Sequence, residues 1–226
     1  MHFQMAVNLI QDRSPAELKK EITGIVEKDL RALPGTAKIF AAVAQLQEFD
    51  RLPEMVDPER INQFIMEGCK ELQRGISPSD GVPAELYARE LIGGTLHPGT
   101  KIAYGQGIYL STPSIDGDLP EFPKVSEVAR HYACSPDGAG IVLRCILKKE
   151  VQLLEREDIL EHFREERNRA RQAGISDLGT FAAACGFRGY TCDGIAPKHE
   201  EEVVVILDRT ALVFQRVALQ IPQKAR

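Results

Sequence analysis

The sequence predicts an α+β fold in which a helical leading segment precedes a mostly antiparallel sheet. Three observations carry this. Helical hydrophobic spacing is concentrated in the first third of the 226 residues. Short apolar runs rich in Val and Ile take over after Gly68. Those runs are not separated by the regular crossover helices that a doubly wound parallel sheet requires. Gly68 therefore divides a helical N-terminal region, residues 1–68, from a core at 69–226.

Composition bounds the functional class. Hydrophobic residues make up 43% and charged residues 27%, as in ordinary globular proteins, and the length suffices for a core without covalent staples. A net charge of −5 argues against nucleic-acid phosphates as the main partner. Five cysteines (Cys69, Cys134, Cys145, Cys185, Cys192) are an odd number with no CxxC spacing. That pattern argues against a disulfide framework or a structural zinc site and fits small buried side chains in a reducing compartment. No apolar run is long enough to span a bilayer. The first fifteen residues lack the charged start and apolar stretch of a signal peptide. The expectation is a cytosolic chain, and action outside its own cell would need a dedicated secretion system.

The elements follow in order. Ser14 caps a helix over 15–33, with Pro15 at its first position, Glu17 completing a capping box, and Leu18, Ile22, Ile25, Val26, Leu30 and Leu33 forming its stripe. Pro34-Gly35 ends it, and a second helix spans 36–48. A third begins after Asp57 with Pro58 leading. "CKELQRGI" and "KIAYGQGIYLS" read as strands and "KVSEVARHYAC" as a short helix. "GIVLRCILKKEVQLL" is one long strand or two joined ones. "EREDILEHFREERNRARQAG" is one charged helix closed by Gly174, and "SDLGTFAAACGF" is a short helix capped by Ser176 or Asp177. "GYTCDGIAPK" is a loop or weak strand, and "EEVVVILDRTALVFQRVAL" holds the last strands around a turn near Asp208.

Three separated pieces carry chemistry. Arg74-Gly75 ends a strand; arginine offers a planar fork of donors that suits phosphate oxygens, and glycine lets a backbone approach closely. In "GQGIYLSTP", Gly105 and Gly107 leave room for a flat ligand, Tyr109 can stack on it, and Ser111 and Thr112 offer hydroxyls. "GQG" is no dinucleotide fingerprint, because the third glycine and the following helix are absent. In "HEEEVVVIL", Glu200 and Glu202 share one face of a strand and Glu201 points to the other. Each piece alone also reads as structure: a surface arginine at a bend, an edge strand with a bulge, a charged strand end.

Taken in this order, the pieces resemble the ADP-ribosyltransferase superfamily, in its arginine–serine–glutamate branch of bacterial toxins and effectors. The matching elements are Arg74, "YLSTP" at 109–113, and "EEEV" at 200–203. "GQGIYLS" is also similar to the "GxGIYF" phrase of the polymerase branch, and "SEVARHYA", with Ala129 and Tyr132, fits the helix that follows it. The resemblance covers 69–214 and leaves the helical N-terminus aside. Pro113 replaces the second serine of the Ser-Thr-Ser element, with Ser114 next to it. The polymerase branch has His where Arg74 stands, which points away from polymer formation.

The resemblance implies two packed, mostly antiparallel sheets, NAD as co-substrate without a metal, and mono-ADP-ribosylation of a protein arginine or hydroxyl side chain. Arg74 would hold the pyrophosphate or adjoining ribose, Gly75 the nicotinamide amide, and Gly107, Tyr109, Thr112 and Tyr132 would line the pocket. Ser111 would position Glu202, which would stabilise the ribosyl cation, and Glu200 would orient or deprotonate the acceptor. A one-residue slip selects Glu201 and His199 instead. Tyr190 stands in the acceptor-recognition loop. The implied partner is a protein, with host proteins such as ubiquitin among the candidates, no nucleic acid or membrane, and a monomeric chain. NAD glycohydrolysis needs the same residues, so the motifs do not separate the two reactions. An inactive NAD- or protein-binding member and an unrelated α+β binding domain stay open as alternatives.

Overall fold

A computed structural model describes residues 7–79, 81–94, 105–113, 125–134, 138–192 and 201–221. The chain is mixed α and β. Helices α1 (Leu9–Asp12), α2 (Pro15–Asp29) and α3 (Ala37–Leu46) lead. Ser14 caps α2 through the capping box read from the sequence, both halves of it formed. Strand β1 (Glu54–Val56) follows, so the first 68 residues are not helical throughout. Then come α4 (Pro58–Met66), β2 (Lys70–Ile76), α5 (Ala84–Gly93), β3 (Ile108–Ser111), α6 (Glu127–Ala133) and β4 (Gly140–Leu147). The last third holds β5 (Leu154–Glu155), α7 (Arg156–Glu165), α8 (Arg167–Gln172), α9 (Leu178–Ala184), β6 (Gly189–Cys192), β7 (Val203–Ile206), β8 (Leu212–Gln215) and β9 (Leu219–Ile221).

The described strands form one nine-stranded sheet in the order β1-β8-β4-β2-β3-β7-β6-β5, with β9 beside β4. Only β1–β8 and β5–β6 pair in parallel; the other described pairings are antiparallel. The expected two packed sheets are thus one path, but it is pinched in the middle. β2 runs seven register pairs along β4, whereas β2 and β3 share a single one, Gln73↔Ser111. β3 then pairs along its whole length with β7. Two half-sheets, β1-β8-β9-β4-β2 and β3-β7-β6-β5, meet at one point and part beyond it.

Strand β4 shows how the layers sort. Its even-numbered Val142 and Ile146 sit under α6 and α4 in small apolar clusters, with Arg144 between them. Its odd-numbered Ile141, Leu143, Cys145 and Leu147 face the larger core, as alternation requires. That core includes Leu18, Ile22 and Phe40 of the leading helices, Phe181 of α9, and Val204 and Ile206 of β7. The N-terminal helices therefore share their hydrophobic core with the sheet.

Two sequence readings need correction, and a third, left open between loop and strand, is decided. The charged segment after residue 155 is two helices that break at Glu166. The apolar stretch after Gly140 is β4 and a separate two-residue β5. "GYTC" is a full strand, fixed by pairing with β7 along four residues. All five cysteines are free, three of them buried. Burial pushes the Cys185 thiol up to about 12 and the Cys145 thiol well up, so both stay protonated and unreactive at neutral pH. Among the described residues, no helix is long and apolar enough to cross a membrane.

Candidate functional site

The three motif pieces lie up to 128 residues apart in sequence. The fold brings them onto the neighbouring strands β2, β3 and β7, in the register Gln73↔Ser111↔Val203. Glu200, His199 and Ser114 lie outside the described residues, as do most of the loop after Pro113 and that after Cys192.

At the pinch, Ser111 enters a buried polar knot. Ser126, the cap residue of α6, donates its single hydroxyl hydrogen to Glu201 Oε2 at 2.6 Å and accepts the Ala129 N–H at 3.0 Å. Ser111 Oγ lies 2.5 Å from Ser126 Oγ. With the Ser126 hydrogen already committed, Ser111 is the donor there. Glu201 also accepts the N–H groups of Glu127 at 2.6 Å and Val128 at 3.0 Å, and the Ser126 N–H goes to Gln73 Oε1 at 2.8 Å. Glu201 is 6% exposed and Ser111 1%. A carboxylate accepting backbone N–H groups at a helix start satisfies donors that the helix cannot. The knot extends across the first half-sheet. Gln73 donates to Glu71, Arg144 binds Glu71 at 2.6 Å, and Arg144 also reaches Gln215 at 2.9 Å.

Glu202 turns the other way. Its backbone is clamped by Thr112, whose Oγ1 accepts the Glu202 N–H at 3.0 Å and whose own N–H donates to the Glu202 carbonyl at 3.0 Å. Its carboxylate forms an ion pair with Lys70 Nζ. Lys70, Leu72 and Arg74 share one face of β2 and Gln73 and Gly75 the other. Ser111 therefore bonds within the Glu201 knot, whereas Thr112 holds Glu202.

Beyond Gln73↔Ser111 β2 and β3 share no further register pair, and Arg74 stands on β2 beside this gap in the pairing. Its Nη1 lies 3.5 Å from the Tyr109 carbonyl, at the limit of a hydrogen bond. Among the described residues no carboxylate pairs with it. Part of the side chain stays accessible, yet burial pulls its pKa below the ordinary arginine value, while Tyr109 and Tyr132 push it back up. A guanidinium in partial burial is ordinarily matched by an anion. Arg74, Tyr109 and Tyr132 thus form one neighbourhood. Tyr132, on α6, is 64% exposed, and the Tyr109 hydroxyl donates to the Gly105 carbonyl at 2.6 Å.

The glycines serve packing. A Cβ on Gly75 would collide with the Ala129 carbonyl of α6. One on Gly105 (φ +105) would strike the Gly179 backbone of α9, and one on Gly107 the Val205 side chain. Their vacant volume is filled by protein atoms, and a ligand does not need it. Tyr190, read from the sequence as an acceptor contact, is 0% exposed on β6 beside Val205. Burial drives its hydroxyl pKa upward, and it lies inside the core.

Sequence reading missed Lys70, Gln73 and Ser126. Ser126 carried a signal, as a serine directly before a helical run. Arg144, inside the apolar "GIVLRCIL", signalled a buried polar partner. The link from Ser126 to Glu201 spans 75 residues and is visible only in three dimensions. Among the described residues no group of His, Cys, Asp or Glu could hold a metal ion. No protein-family model, curated protein or solved structure matches the chain.

Proposed function

We propose that the chain is a mono-ADP-ribosyltransferase that uses NAD to modify a protein side chain. One observation carries the reading: the Arg74 guanidinium, without a carboxylate partner among the described residues, lies near Tyr109 and Tyr132 beside the single β2–β3 pairing. A pyrophosphate is the ligand such a fork suits, and the flanking rings suit a flat heterocycle. Glu202, two strands away and held by Thr112 and Lys70, is the carboxylate offered to a ligand, because it is partly exposed while Glu201 is buried on three donors.

NAD supplies an activated glycosidic bond: as it breaks, the electron pair leaves with nicotinamide, and the acceptor's lone pair bonds ribose C1′ and releases a proton. In this reading Arg74 binds the pyrophosphate, Tyr109 and Tyr132 flank the nicotinamide, and Glu202 faces the positive charge that develops on the ribose. A fixed carboxylate in a site poor in water stabilises such a charge more than water can. Ser111 and Glu201 set the distance between the half-sheets and do not touch the ligand.

The test uses biotin-labelled NAD in a eukaryotic lysate, with nicotinamide release followed in parallel. Label on a discrete protein that is lost with Glu202→Ala is the expected result. Nicotinamide release without label would convert the reading to a glycohydrolase, which the same residues serve. Neither release nor binding would overturn it.

A further inference from the structure

Lys70 belongs to none of the three motif pieces, and its ion pair with Glu202 stands outside the buried knot. We propose that Lys70 is a positioning residue that fixes the Glu202 carboxylate for the reaction, an inference that rests on the transferase reading above. Lys70 opens β2, and its backbone is held in register with Leu147 of β4. Its side chain is 37% exposed and that of Glu202 29%, so the pair is neither buried nor freely solvated. Thr112 fixes the Glu202 backbone through both its N–H and its carbonyl. What remains free is the rotation of the Glu202 side chain, and Lys70 removes it.

The arrangement separates two tasks on one strand. β2 carries two cations on one face, Lys70 and Arg74, with the buried Leu72 between them. Lys70 holds the carboxylate, and among the described residues Arg74 has no carboxylate partner. A carboxylate that must meet a developing charge gains from being held before the reaction starts, because no reorganisation is then needed. Lys70 thus acts through Glu202, and the loss expected on removing it falls on turnover more than on NAD binding. A lysine that served only to stabilise the strand would change neither ratio.

The test compares wild type, Lys70→Met, Lys70→Arg, Glu202→Gln and the Lys70→Met/Glu202→Gln double variant as full-length proteins. Lys70→Met is expected to lower kcat for nicotinamide release about tenfold while KM for NAD stays within about twofold, and Lys70→Arg to recover most of the loss. Urea midpoints of the single and double variants are expected to be non-additive, which reports the pair without any appeal to activity. A kcat for Lys70→Met within about twofold of wild type, or Lys70→Arg no better than Lys70→Met, would overturn the positioning role. Additive midpoints would overturn the pairing itself. A wild-type protein that releases no nicotinamide would instead bring down the transferase reading, and the positioning role with it.

Discussion

Two adjacent glutamates, Glu201 and Glu202, face opposite sides of one strand end and meet opposite fates. Glu201 is buried and accepts three hydrogen bonds, tying α6 to the pinch between the half-sheets. Glu202 is partly exposed and held by one lysine and one threonine. The same contrast separates the knot from the gap beside it. In the knot the Ser126 hydroxyl and the Glu201 carboxylate are matched by protein; in the gap Arg74 has, among the described residues, one long contact to a carbonyl. Polar groups matched by protein hold a fold together, whereas a charge left unmatched at an accessible site is free for a ligand.

Substitutions at the two glutamates should break this comparison most visibly. Glu201→Ala strands the Ser126 hydroxyl and two backbone N–H groups, and should cost about 3 kcal/mol in a urea titration. Glu202→Ala should cost less than about 1 kcal/mol there, since its ion pair is partly exposed. Equal losses at both positions would erase the distinction. Gly75→Ala comes next. Its new Cβ meets the α6 backbone, which cannot yield as a flexible side chain would, and about 2 kcal/mol should be lost. A stable Gly75→Ala protein would mean that α6 sits less tightly on β2. Ser111→Ala follows. Losing one buried hydroxyl donor should cost about 1 kcal/mol and leave NAD turnover within about threefold of wild type. Turnover abolished at unchanged stability would return Ser111 to direct contact with the ligand.

Much of this was legible in the sequence where local chemistry decides. The capping box at Ser14 and Glu17 and the Pro58 helix start need only neighbouring residues, and both formed as read. Helix α5 was passed over although Ala84, Ala88 and Leu91 follow helical spacing. β1 and β9, three residues each, carry too little pattern to detect and depend on β8 and β4 for their existence. At the site, Arg74, Tyr109 and Tyr132 were named and lie together. Ser111 was read as positioning Glu202, with Glu201 as the alternative; it bonds within the Glu201 knot because its partner, Ser126, is set by how α6 packs on Gly75 and not by the strand's own residues. The glycines were misread for a related reason. Sequence shows that a side chain is missing, but only packing shows what fills the space.

The central claim is that the gap between β2 and β3 is an NAD site built on Arg74. A crystal structure of the full chain with a non-cleavable NAD analogue tests this most directly. The account predicts the pyrophosphate within hydrogen-bonding distance of the Arg74 guanidinium and the nicotinamide between Tyr109 and Tyr132. A dinucleotide bound elsewhere, or a gap that stays empty at saturating analogue, would contradict it.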